Sequence, residues 1–175
     1  MKVELASPFP LEALPRIWRW VESFRDQISD DFGPQTLDEF VEAARARWDQ
    51  QTTWAIYGAG ELGGLIAFER LSPWLGTAHW VLKPDFQGQG VALQASRIAV
   101  AAMFALGIGK LSVYPLAGNR PMGSLLIRLG AQREGTLAEQ TVCHGRPVDM
   151  WVYGLTRAAF EKAKPVSLEV PACPG

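Results

Sequence analysis

The sequence predicts an α/β fold, an α+β arrangement in which one mixed sheet carries helices on its faces. Three observations predict it. The 175 residues are 48% hydrophobic and 20% charged, which fits a single compact domain and excludes a disordered or fibrous chain. Segments rich in β-branched and aromatic residues alternate with apolar stripes of helical spacing, in the order β α α β β β α β α β β. One of those strands runs directly into a glycine loop that opens a helix.

Taken in order, Lys2 to Leu5 predicts a short opening strand, and Pro8 and Pro10 then turn the chain. Leu14, Ile17, Trp18, Val21, Phe24 and Ile28 recur every three to four residues, the stripe of an amphipathic helix starting near Pro15. After a loop from Asp30 to Pro34, Thr36 and Glu39 have the form of a capping box, with a second helix expected to about Gln50. Thr52 to Tyr57 and Leu62 to Glu69 flank Gly58-Ala59-Gly60 and predict a hairpin. Thr77 to Leu82 is the next strand. Val91 to Leu106 is Ala-rich and free of Gly and Pro, a helix that Gly107 can stop. Leu111 to Leu116 predicts a strand, Pro121 to Leu129 a helix closed by Gly130, and Ala131 to Leu137 and Val148 to Leu155 the closing strands. Residues 1–164 are expected as one domain, with residues 165–175 a loose tail containing Pro165, Pro171 and Pro174.

Composition also excludes functions. Lys plus Arg number 17 against 18 for Asp plus Glu, so there is no basic face for a phosphate backbone and no nucleic-acid partner is expected. The longest apolar and glycine run, Ile98 to Gly109, is too short to span a bilayer, and the start of the chain lacks an apolar signal core. Cys143 and Cys173 form no CxxC or zinc-ligand spacing, so the expectation is a cytoplasmic protein without metal or membrane attachment.

The stretch from Val81 to Ala92 is the most informative. Backbone N–H groups in a glycine loop at a helix start, where the dipole adds about half a positive charge, suit a phosphate or diphosphate. The loop lacks the lysine and hydroxyl of a Walker site, and Leu93 stands where a dinucleotide fingerprint has its third glycine. A strand-to-helix turn with two glycines is also structurally ordinary, so the loop alone leaves both readings open.

Further residues carry a resemblance. Gln87-Gly88-Gln89-Gly90-Val91-Ala92, with Pro84 three residues ahead, is similar to the Q/R-x-x-G-x-G/A loop of the GNAT superfamily of acetyl-CoA-dependent N-acetyltransferases. Asn119, Leu129-Gly130 and Glu134-Gly135-x-Leu137 resemble the run typical of its RimJ/RimL branch, and Gly145-Arg146 with Asp149, Tyr153 and Leu155 its closing hairpin. The match extends in order from about Leu62 to Phe160. The resemblance implies the GNAT fold, with acetyl-CoA as co-substrate. It places Gln87, Gly88, Gln89, Gly90, Val91 and Ala92 on the diphosphate, Val81 and Leu82 along pantetheine, and Asn119 toward the thioester. Branch members are commonly dimers, so a homodimer is a possible partnership.

The implied reaction is direct attack of a neutral amine on the acetyl carbonyl, with positioning and backbone donors supplying much of the rate. An α-amino group, with a pKa of about 7.7 to 8.0, needs little base, whereas lysine, at about 10.4, needs much. A protein N-terminus is therefore the first expectation, with a small-molecule amine such as an aminoglycoside or polyamine as the alternative. Glu69 and His79 are the candidate bases, acting directly or through water. Their plainer readings are a solvated strand end and a core or edge histidine. Leu126 stands where many members carry an acidic tyrosine, and Met122 where the branch carries serine. These departures keep open a catalytically weak CoA-binding or peptide-binding domain. Ser124, on another helix face, is a weak substitute acid, and Tyr114 reads as a wall residue. Asp26, Asp30, Asp31, Asp38 and Glu39 read either as solvated and helix-start acids or as a steering patch for a cationic acceptor. The tryptophans read chiefly as core, with Trp74 the best candidate for an acceptor groove.

Overall fold

The computed structural model of the chain describes residues 2–25 and 30–163. Its strands are β1 (Val3–Ala6), β2 (Gln51–Gly58), β3 (Glu61–Arg70), β4 (Leu75–Leu82), β5 (Lys110–Val113), β6 (Gln132–Cys143) and β7 (Arg146–Thr156). They form one sheet in the order β1-β2-β3-β4-β5-β7-β6. Among the described residues only β4 and β5 pair in parallel, which makes the sheet mixed as expected. The helices are α1 (Leu14–Ser23), α2 (Leu37–Ala46), α3 (Val91–Ala105), α4 (Arg120–Leu129) and α5 (Arg157–Ala163).

Two apolar cores follow from the alternation of side chains along the central strands. On one face, Ala55, Leu65 and Ala67 meet Leu14, Ile17, Trp18 and Val21 of α1. On the other, Ile56, Ile66, Phe68 and Ala78 meet Val91, Ala95 and Ala99 of α3 and Leu126 and Leu129 of α4. The predicted capping box forms at α2: Thr36 Oγ1 accepts from Glu39 N at 3.2 Å, and the Glu39 carboxylate accepts from Thr36 N at 3.3 Å.

The differences from expectation are local. The second helix stops at Ala46 and gives way to a 3-10 turn, Trp48–Gln50. The strand expected to reach Leu116 ends at Val113, just before Pro115, although Leu116 still bridges Met150. The first closing strand runs beyond the expected Leu137 to Cys143, because β6 is an edge strand whose mostly exposed residues carry no alternation, while β7 begins at Arg146 and ends at Thr156, close to the expected Val148 to Leu155. The sequence reading missed α5 altogether. Seven residues cannot hold a helix alone, and Phe160, buried against Phe104 at 5.6 Å between ring centroids, anchors this one. Ile28, Asp26, Cys173 and the tail from Pro165 lie outside the described residues. Among the described residues no helix is long and apolar enough to cross a membrane.

Candidate active site

The glycine loop is braced from below. After β4, Pro84–Phe86 makes a 3-10 turn, and the Phe86 ring is buried against β3 at Gly63, where any side chain would overlap it. Gln87 and Gln89 turn their amides back onto the chain, donating to Leu82 O at 3.3 Å and Asp85 O at 2.5 Å. Gly88 and Gly90 take φ of +73° and +78°, left-handed backbone that glycine adopts without strain. Gly90 N-caps α3, and no side chain caps that helix. The first intrahelical partner of Gly90 O is Gln94 N at 3.1 Å, so the first-turn N–H groups have none within the helix. Lys83 is held by Glu61 at 2.8 Å and Asp85 at 3.1 Å, and these contacts raise its ammonium above the usual lysine range. The positive character of this loop therefore comes from backbone amides at a helix start.

Beside the loop the sheet divides. β4 and β5 pair only at Leu75 with Lys110 and Gly76 with Leu111. From Thr77 to Leu82, β4 keeps β3 on one side and has no ladder partner on the other among the described residues. β5 instead follows β7, pairing Ser112 with Gly154 and Val113 with Tyr153. The half-buried Val81 and Leu82 lie on this open length, which leads straight into the glycine loop. An exposed strand edge continuous with uncapped helix amides suits an extended ligand ending in phosphate.

A family model for the acetyltransferase (GNAT) domain matches residues 6–132, most of the chain. The chain belongs to the GNAT acetyltransferase family. No curated protein matches its sequence. Among solved structures, a chimera built on the spermidine N-acetyltransferase SpeG of Vibrio cholerae superposes with a TM-score of 0.77 at 18% identity, covering 92% of this chain and 99% of that one. The same V. cholerae enzyme in complex with CoA and spermine gives 0.76 at 18%, covering 91% and 98%. An N-acetyltransferase from Staphylococcus aureus Mu50 gives 0.73 at 18%, covering 89% and 99%. At that identity the likeness establishes a shared fold.

On the α1 side of this GNAT acetyltransferase sheet, the register gathers the two candidate bases. Glu69 pairs with Thr77 and Ala67 with His79, so Glu69 and His79 are diagonal neighbours on one face. Gln51, opposite Glu69 on β2, donates from Nε2 to Glu69 Oε2 at 3.2 Å. His79 keeps one face open to solvent while protein crowds its other sides. That loss of solvation, reinforced by the nearby Arg47 cation and opposed by Glu69, holds the imidazole below its ordinary pKa of 6.5. The site therefore offers a histidine that is neutral at pH 7 beside a half-buried carboxylate held by an amide.

Asn119 caps α4, its Oδ1 accepting from Met122 N at 3.1 Å. Leu126 is buried in the core and Met122 packs against it, so neither position presents an acid, and Ser124 is exposed. Tyr114 is partly exposed immediately after β5. Trp74 is exposed at the closed end of the β4–β5 pair, its carbonyl accepting from Gly109 N at 2.9 Å and Lys110 N at 3.1 Å. Trp18 and Trp54 are core, and Trp48 and Trp80 pack against it. Among the described residues no group of three potential metal ligands occurs.

The acidic loop also needs correction. Asp30 and Asp31 are bonded to the β6–β7 hairpin, and two backbone amides, those of Gly145 and His144, hold the Asp31 carboxyl below its usual range. Glu39 is consumed by capping, with Asp38 beside it in the first turn of α2. Asp38 and Glu39 are thus the helix-start acids of the plainer reading, whereas Asp30 and Asp31 are tied to the hairpin and are neither simply solvated nor a free steering patch. The sequence reading missed Gln51 and Arg47, which pattern alone cannot place beside Glu69 and His79. It also missed Gly63, whose signal was a Gly63-Gly64 pair inside a strand.

Proposed function

We propose that the protein transfers the acetyl group of acetyl-CoA to a primary amine, with a protein N-terminal α-amino group as first acceptor, as a member of the RimJ/RimL-like branch. The observation that carries the acceptor choice is the placement of Glu69 and His79 as diagonal neighbours on one face of β3 and β4, with the imidazole held below its ordinary pKa by lost solvation and by the Arg47 cation. A neutral imidazole can take a proton from an α-ammonium of pKa about 7.7 to 8.0, and a far smaller neutral fraction of a lysine is on offer. The Arg47 cation opposes a polycation at the same place.

In this reading the amides from Gln87 to Ala92 hold the diphosphate, Val81 and Leu82 flank pantetheine, and Asn119 lies toward the thioester. The amine enters from the α1 side and attacks the acetyl carbonyl. An N–H on the open edge of β4 stabilises the developing oxyanion, and His79, positioned with Glu69, accepts the amine proton. The leaving thiolate takes its proton from solvent, since a buried Leu126 supplies none.

A small-molecule amine is the second reading, favoured by the V. cholerae neighbour bound to CoA and spermine. Release of CoA should be measured with peptides bearing free N-termini, spermidine and an aminoglycoside. Peptides are expected to give the highest kcat/KM. A higher value for spermidine overturns the acceptor choice, and tight CoA binding without turnover on any amine leaves only a binding domain.

A further inference from the structure

Tyr153 is a buried phenol whose hydroxyl has no structural employment. Alternation along β7 turns Tyr153 and Leu155 to the face of the sheet that carries α3 and α4, where both join the core. Tyr153 is 4% exposed, and the Trp151 ring meets its ring at 72° with 6.4 Å between centroids. Packing therefore fixes the ring. Among the described residues Tyr153 Oη makes no hydrogen bond, yet every fully buried side-chain nitrogen or oxygen has a partner. The small exposed remainder of this side chain thus includes its hydroxyl, which opens onto solvent-accessible space.

The start of α4 makes room for it. A Cβ at Gly123 would stand 2.8 Å from Tyr153 Oη and 3.6 Å from Cζ, so a larger residue there would displace the phenol. Gly123 N donates to Asn119 O at 3.1 Å, and Asn119 is the N-cap of this helix, so the hydroxyl lies about one helical turn from Asn119. On the sheet side Tyr153 pairs with Val113, the last residue of β5, two positions beyond the end of the β4–β5 ladder at Leu111. Tyr153 therefore stands between the β5 wall of the split and the N-terminal turn of α4. Leu126, three positions after Gly123, is buried and apolar, which leaves this phenol as the proton-bearing side chain at the place where β5, β7 and α4 converge.

We propose that Tyr153 is a further catalytic residue, the group through which a solvent proton reaches the leaving sulfur of coenzyme A. As the C–S bond of the acetyl donor breaks, its electron pair stays on sulfur, and Tyr153 Oη–H gives its proton to that sulfur. The phenolate oxygen then regains a proton from water, to which its exposed edge has access. The phenol comes from β7, a different element from the helix position that Leu126 occupies. The proposal rests on the acetyl-transfer reading, so its test separates the two.

Y153F removes the hydroxyl and keeps the ring, and G123A places a methyl against the hydroxyl and moves it aside. Each should be compared with the parent protein in two measurements: affinity for CoA against desulfo-CoA, which lacks the sulfur, by calorimetric titration, and kcat with a peptide acceptor. The parent is expected to bind CoA roughly threefold to tenfold more tightly than desulfo-CoA, the value of one hydrogen bond to sulfur. Y153F should bind the two equally and lose about 10²-fold in kcat, the low end of what a positioned acid supplies. G123A should shift both readings in the same direction, and it answers the question should Y153F misfold. A parent that does not distinguish CoA from desulfo-CoA, a preference that Y153F leaves unchanged, or an undiminished kcat in Y153F each overturns the proposal. Turnover of no amine by the parent overturns the acetyl-transfer reading, while the two affinities still report on the contact with sulfur.

Discussion

Replacing Gly90 by alanine separates the backbone cost of the loop from its binding role. Gly90 has φ of +78°, and a Cβ there meets nothing within 4 Å. The folded chain therefore bears only the left-handed backbone penalty, about 1 to 2 kcal/mol. Reduced freedom of the unfolded chain offsets about 0.4 to 1 kcal/mol of it. The net loss is about 1 kcal/mol, or roughly 2 to 4 °C in Tm for a domain of this size. The effect on ligand is larger. In the proposed reading the new methyl stands at the helix start where the diphosphate approaches the first-turn amides, and each charge-assisted bond lost is worth about 1.5 to 3 kcal/mol. One such loss weakens CoA binding by roughly 10-fold to 100-fold. Gly107, with φ of +93° and an equally open Cβ position, supplies the control at the other end of α3, about 25 Å away. Thermal melts and calorimetric titration with CoA should show similar Tm losses for G90A and G107A, with weakened CoA binding in G90A alone. Unimpaired affinity in folded G90A would refute the assignment of this loop to the diphosphate.

Other expectations follow from the same geometry. Because the His79 pKa is depressed, the group is neutral above it and gains its proton only as pH falls below 6.5. The pH profile of kcat/KM should therefore decline below the amine pKa and steepen again under 6.5, and H79A should abolish the second decline. Loss of the base should lower kcat by about 10²-fold to 10⁴-fold; if H79A and E69Q both keep full rates from pH 6 to 9, neither residue relays the proton. G63V forces the Phe86 ring off β3 and should destabilise the fold by about 1 to 3 kcal/mol while weakening CoA binding, read by melts and titration. T36A removes one half of the capping box and should cost about 0.5 to 2 kcal/mol in denaturant unfolding, with CoA affinity intact.

The elements of this fold were legible where local chemistry dictates them. Thr36 and Glu39 announce a helix start through reciprocal bonds only three residues apart, and the Ala-rich stretch before Gly107 carries its own propensity and stop. The glycine loop was equally local, since strand, glycines and helix follow one another directly. β6 and α5 were misread or missed because an exposed edge strand has no alternation and a seven-residue helix exists only through Phe160. Glu134 and Gly130, quoted for the family resemblance, have structural work in the fold: Glu134 pairs with Lys110 at 2.7 Å, and Gly130 closes α4 at φ +98°.

By itself the sequence determined the order of the strands and of every helix but α5, the glycine start of α3 and the family to which these belong, because each depends on residues adjacent in the chain or repeated at a fixed period. Tertiary structure alone decided where β4 and β5 part, that Glu69 and His79 share a face with Gln51 and Arg47 close by, and that Asp31 reaches the β6–β7 turn 113 positions away. Those contacts are set by strand register and by the path of the chain across the sheet. No local pattern of residues encodes either one.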